Sequence, residues 1–119
     1  MEKIVRQSLL YDFYGELLTN HQKSIYEDFV LNDIGISEIA ALRGISRQGV
    51  HDLIRRCDAT LENYEDTLKL IEKFLKIKSW VTKIHTLTGE FDKLSIASIQ
   101  EKELVDQIND ISNQILDEI

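Results

Sequence analysis

GISEIAALRGISRQGVHDLIRRC, residues 35 to 57, is the stretch that decides the fold of this 119-residue chain. It holds two helix starts separated by a tight turn. Ser37 can act as N-cap, its hydroxyl accepting from an unpaired amide of the first turn, and Glu38 suits the positive end of the helix dipole. A short helix is expected from about Glu38 to Arg43. Gly44 stands where the chain must reverse, and a residue without Cβ takes φ > 0 at little cost. Ile45 offers an apolar plug, and Ser46 a second N-cap ahead of Arg47. The second helix then sets Val50, Leu53 or Ile54, and Cys57 on one face. Arg47, Gln48, His51, Asp52 and Arg55 stand on the other.

That spacing is the pattern of a helix-turn-helix. Ala40 is small where the second helix must cross closely, and Ile39, Ile45 and Val50 can close the core between the helices. The second helix would present its N-terminal half to a DNA major groove. Arg47, Gln48 and His51 are expected to face base edges, with Arg55 and Arg56 better placed for phosphates. Asp52 would exclude some bases or orient Arg55 or Arg56 at i+3 or i+4. A helical hairpin that binds no nucleic acid fits the same residues and stays open at this point.

Working outward, the chain has no proline and five glycines, so an all-α fold is expected. Its length suits one domain, or a small domain with a helical extension. No apolar run approaches the roughly 18 residues needed to span a bilayer, and no signal peptide opens the chain. The expected localisation is cytoplasmic. The lone Cys57 excludes an internal disulfide and reads as a small buried apolar residue. A net charge of −7 argues against a protein held on nucleic acid by charge alone. Yet Arg43 to Arg56 contains four arginines against one acid, Asp52. The positive charge is local to the expected recognition helix.

Residues 3 to 18 read as an amphipathic helix with Val5, Leu9, Phe13 and Leu17 on one face, and Leu10 and Tyr14 beside them. Thr19 and Gln22 match a capping box opening a second helix to about Asn32, which buries Ile25 and Phe29 with Tyr26 and Val30. Beyond the helix-turn-helix, Ile54, Cys57, Leu61, Tyr64, Leu68, Ile71 and Leu75 fall three and four apart, an a/d seam. The spacing predicts one helix from Arg47 to Ile84, about 55 Å long. Such a rod needs a partner, and a homodimer through Leu70, Phe74, Ile77 and Trp80 supplies one most simply. A monomer whose rod breaks near Lys76 to Ser79 is the alternative. Thr88-Gly89 is the first clear break. Ser98 to Glu101 gives another capping box, opening an acidic helix with Leu104, Ile108, Ile111, Ile115 and Ile119 on one face. The expected division is a helix-turn-helix unit over 1–60 and a helical extension or dimerisation hairpin over 61–119.

Chemistry of the catalytic kind is missing from the pattern. His21, His51 and His85 are scattered and none stands at ligand spacing from another His or Cys, so neither a metal nor a cofactor is expected. His51 and Asp52 are adjacent, so they diverge by about 100° on a helix and make no dyad. No phosphate loop or nucleophile motif occurs. The chain does not read as an enzyme.

The stretch SEIAALRGISRQGVHDLIRRC resembles the YlxM-like family of small bacterial helix-turn-helix proteins. The resemblance continues into Leu61 to Asp66, Lys69 to Lys76, Leu10 to Tyr14 and Leu17 to Thr19, about the first three quarters of the chain. Ser46-Arg47-Gln48 is its most telling part; the tail after Thr86 matches only in being helical. Gly49 and His51 depart from the family's usual alanine and tyrosine. The same segment is similar to region 4 of bacterial sigma factors. What the resemblance implies is a DNA-binding regulatory protein taking part in the signal recognition particle pathway, an association that rests on gene position. The alternative is an accessory factor that docks on protein or RNA of that particle without reading DNA.

Overall fold

The computed structural model describes residues 1–94 and 98–119. Among the described residues the fold is all-α, six α-helices and one 3-10 turn without a strand. The chain divides into two compact units, Met1–Ile71 and Glu72–Ile119. No helix among the described residues is long and apolar enough to cross a membrane.

In the first unit, α1 covers Lys3–Tyr14 and passes into the 3-10 turn Gly15–Leu17. The expected helix to residue 18 is therefore shorter. A Cβ at Gly15 would lie 2.8 Å from the Tyr11 ring, so only glycine lets the chain tighten there. The expected face is also rotated. Val5 and Leu17 stay 49% and 56% exposed, while Leu10, Tyr14 and Leu18 are buried with Gln7. Tyr14 and Gln7 both find hydrogen-bond partners inside, and this lets a partly polar face turn inward. Helix α2, Asn20–Val30, opens on the expected capping box, Thr19 and Gln22 each satisfying the other's amide. It buries Ile25, Tyr26 and Val30.

Helix α3 covers Ile36–Arg43, and its N-cap is Gly35. Ser37 is thus not the cap but sits inside the first turn. Ile36 packs against the core and draws the helix start two residues upstream. Gly44 ends α3 in the left-handed region at φ 67°, as its place in the sequence requires.

Helix α4, Arg47–Leu68, puts Val50, Ile54, Cys57, Leu61 and Glu65 on one buried line. It runs unbroken across residue 60, so the first unit extends past the expected boundary to Ile71. The expected rod to Ile84 does not form. Lys69 turns left-handed at φ 58°, and α5, Leu70–Asp92, starts afresh. The break falls earlier than Lys76 to Ser79. Its cause is tertiary: the Glu65 carboxylate accepts from Ile71 N–H at 2.9 Å and from the Tyr14 hydroxyl at 2.6 Å. Leu70 N–H in turn donates to the Tyr14 oxygen at 3.3 Å. These contacts cap the first amides of α5. The a/d seam is likewise no coiled-coil stripe in this stretch. Ile54, Cys57, Leu61 and Ile71 are core of the first unit, while Leu68 is exposed.

In the second unit, α5 continues to Asp92, so Thr88-Gly89 does not break the helix. Helix α6, Ile99–Glu118, begins at Ser98, whose hydroxyl accepts from Glu101 N–H at 3.1 Å. The Thr88 hydroxyl lies 3.2 Å from Asn109 Oδ1, so α5 and α6 pack side by side there.

Candidate nucleic-acid interface

The turn between α3 and α4 is held by short local contacts. Ile45 N–H reaches the Ala40 carbonyl at 3.2 Å, and Ile39, Ala40 and Val50 are buried beneath it. The Ser46 hydroxyl accepts from Gly49 N–H at 2.9 Å, the expected N-cap. A Cβ at Gly49 would come within 3.0 Å of that hydroxyl. Glycine at this helical position therefore gives the cap room, against a propensity cost of about 1 kcal/mol.

From this capped start, Arg47, Gln48, His51, Arg55 and Arg56 stand exposed on α4, with Asp52 half-buried among them. Gln48 Nε2 donates to Asp52 Oδ1 at 2.9 Å, one turn along the helix. His51 Nδ1 lies 3.9 Å from the same oxygen, so these neighbours come closer than their helical divergence suggests without reaching hydrogen-bond distance. Asp52 consequently orients Gln48. No ion pair joins it to Arg55 or Arg56 among the described residues, contrary to one role expected of it. Asp52, Arg55, Arg56 and Ala59 line one open depression of about 330 Å³.

Arg43 leaves the positive set. It donates to Ser24 and to Asp28, each at 2.7 Å, and so ties α3 to α2. The guanidinium holds the Asp28 carboxyl below the usual carboxylate range. Arg47, Arg55 and Arg56 remain without an ion-pair partner among the described residues.

Further along α4 the acids point into the fold. Asp58 accepts from Gln7 at 3.0 Å and from the Tyr26 hydroxyl at 2.7 Å. Glu62 takes a two-pronged bond from Arg6 at 3.0 and 2.9 Å, which lowers its pKa and raises that of Arg6. Burial and the hydrogen bond to Asp58 push the Tyr26 phenol well above its usual range, so it stays a donor. Cys57, fully buried, is pushed up to about 11 by burial and remains a thiol. The half of α4 that anchors the helix thus ties Asp58, Glu62 and Glu65 to the rest of the fold and leaves only Asp66 outside, and the half that starts it keeps its arginines out of ion pairs.

Two flanking residues escape the sequence pattern. Lys3 shares a groove of about 310 Å³ with His51 and Arg55, and His21 shares one of about 400 Å³ with Gly49, Asp52 and Arg56. Both come from other helices, and only the packing of α1 and α2 on α4 brings them beside it.

A short helix that leaves through a left-handed glycine and re-enters a serine-capped helix with a free polar tip makes this a helix-turn-helix protein. The chain belongs to the family described as "Putative helix-turn-helix protein, YlxM / p13 like", whose model matches residues 1–117. It is 40% identical over 112 residues to the UPF0122 protein of Thermoanaerobacter sp. (strain X514), covering 94% of this chain and 89% of that one. It is 37% identical over 109 residues to the UPF0122 protein of Bacillus thuringiensis (strain Al Hakam), covering 92% and 99%. The likeness therefore runs past the first three quarters and takes in α6.

Proposed function

We propose that the protein binds DNA through the first half of α4 and acts there as a regulator. The observation that carries this reading is the trio Arg47, Arg55 and Arg56, exposed on the second helix of a helix-turn-helix and uncommitted to any ion pair among the described residues. Arg47, Gln48 and His51 are assigned to base edges, with Asp52 fixing the Gln48 amide. Arg55 and Arg56 are assigned to phosphates. Self-association belongs to the same reading. A single helix start of this modest charge holds DNA weakly, and a pair of them gains from effective concentration.

A second reading is favoured by Asp52 itself, an acid within the arginine set on a chain of net charge −7. On that reading the helix-turn-helix docks on protein or structured RNA, and the family's association with the signal recognition particle names that particle as the place to look. Gel-shift titration against genomic DNA fragments and signal recognition particle RNA, at low and moderate salt, separates the two. Two phosphate contacts per copy predict a loss of roughly tenfold in DNA affinity between about 50 and about 200 mM salt for a single bound copy, and roughly 100-fold for a bound pair. A shift with the RNA alone would replace the first reading by the second, and no shift with either would remove nucleic acid from both.

A further inference from the structure

Among the described residues, the second unit buries polar side chains beside its one buried apolar residue, Val81 at 3% exposure, and leaves larger apolar ones outside. Ser112 and Thr88 are buried, at 2% and 8% exposure, while Leu104, Ile108, Ile111 and Ile115 on the same α6 stand 37–56% exposed. Helix α5 repeats the feature, with Trp80 at 59% and Leu87 at 65%. The two stripes have the same spacing. Leu104, Ile108, Ile111 and Ile115 advance by four, three and four residues, and so do Trp80, Ile84, Leu87 and Phe91. They open on one side, because Ile84, Leu87, Phe91 and Ile108 line a common apolar groove of about 300 Å³. A hairpin that spent its hydrophobic residues on its own seam would put leucine and isoleucine where Thr88 and Ser112 are.

We propose that this face is covered by the same face of a second copy, forming a four-helix bundle in which α6 of one chain lies antiparallel along α5 of the other. This names the surface of the self-association proposed above and rests on that reading. Three considerations select a second copy over a foreign partner. Equal stripe spacing makes the face self-complementary, which a two-fold interface requires. The six exposed side chains offer on the order of 600 Å² per copy, so a symmetric pair reaches about 1,200 Å², the lower end of specific interfaces.

Charge supplies the third. Helix α6 carries six acids and one lysine, whereas α5 from Glu72 carries Lys73, Lys76, Lys78 and Lys83 against three acids. In antiparallel register Trp80 lies level with Ile115. Lys76, which extends the α5 stripe toward its start, then comes within about one residue of level with Glu118, which extends the α6 stripe toward its end. Two α6 helices side by side would instead set acid against acid, so the bundle places them on its diagonal.

Sedimentation equilibrium of the full chain, without nucleic acid, tests this. The wild type should sediment at twice 13.8 kDa in the micromolar range, and Ile108→Asp with Ile111→Asp should weaken association at least 100-fold. Circular dichroism confirms that the variant keeps its helices. Should the double aspartate lose α6, a mixed pair replaces it. One chain carries Lys76→Glu, the other Glu118→Lys. Each is expected to be monomeric alone, and the two dimeric when mixed. A wild type at 13.8 kDa would overturn both the self-association and this surface. A wild-type dimer unaffected by the aspartates and by the charge exchange would overturn this surface alone.

Discussion

Helix α4 is bracketed by two residues in the left-handed region, Gly44 at φ 67° and Lys69 at φ 58°, and they are held there by opposite means. At Gly44 the residue type suffices. Beyond its own chain neighbours no atom lies within 4 Å of where its Cβ would be, and the missing side chain is what lets the chain reverse. At Lys69 the residue type resists, at a cost of about 1–2 kcal/mol for an L-residue. Contacts made by a tyrosine more than fifty residues away hold it instead. One end of the helix is set locally and left open to solvent, where the arginines are. The other end is set by the fold, through contacts buried at Glu65 and Ile71 beneath an exposed Lys69.

Removing the buried hold should have the largest effect. Glu65→Ala leaves the Tyr14 hydroxyl and the Ile71 amide without their acceptor, and should lower the unfolding free energy of the first unit by about 3 kcal/mol. Urea denaturation measures it, and a loss below about 1 kcal/mol would mean that the break at Lys69 needs no capping. A smaller, oppositely signed pair of effects probes the backbone itself. Gly44→Ala should cost about 1–2 kcal/mol, because alanine is strained at φ 67°. Lys69→Gly should instead stabilise by about 1 kcal/mol, because it relieves the same strain. If both substitutions destabilise alike, the two ends are not held differently.

Smallest is the response to acid, with one ion pair near each end of α4. Arg43 lowers the pKa of Asp28 near the turn, and Arg6 lowers that of Glu62 near the junction. A carboxyl depressed in the folded state stabilises above its unfolded value, here about 3.8 and 4.5, and the gain is lost as pH falls through the lowered values. Both pairs are partly exposed, so each should contribute no more than about 1 kcal/mol. Unfolding free energies from urea titration at about pH 5 and about pH 3 should differ by no more than about 2 kcal/mol from these pairs in the wild type, and by less in Arg6→Gln.

The contrast also explains what could be read from the residues alone. Gly44, the Ser46 cap, the Thr19–Gln22 box and the α4 core line are local patterns of residue type and spacing, and they predict the helix-turn-helix. Ser37 misled because a good capping residue competed with Ile36, whose burial is a tertiary fact. Lys69 left no mark, since no glycine or proline announces it and the Tyr14 hydroxyl that bonds both Glu65 and Leu70 is remote in sequence. The α1 face rotated for the same reason: Tyr14 and Gln7 look less apolar than Val5 and Leu17 until Glu65 and Asp58 are placed opposite them. In the candidate interface, residue types and exposure were legible. The withdrawal of Arg43 to Asp28, the tie between Gln48 and Asp52, and the arrival of Lys3 and His21 depend on packing.

The central claim is that the open end of α4 contacts nucleic acid while the closed end holds it in place. The most direct measurement is the affinity of Arg47→Ala for the best-bound DNA fragment, taken beside its urea unfolding curve. The expected result is a loss of about 1–3 kcal/mol in specific binding with an unchanged unfolding midpoint. Wild-type affinity in a folded Arg47→Ala protein would contradict it.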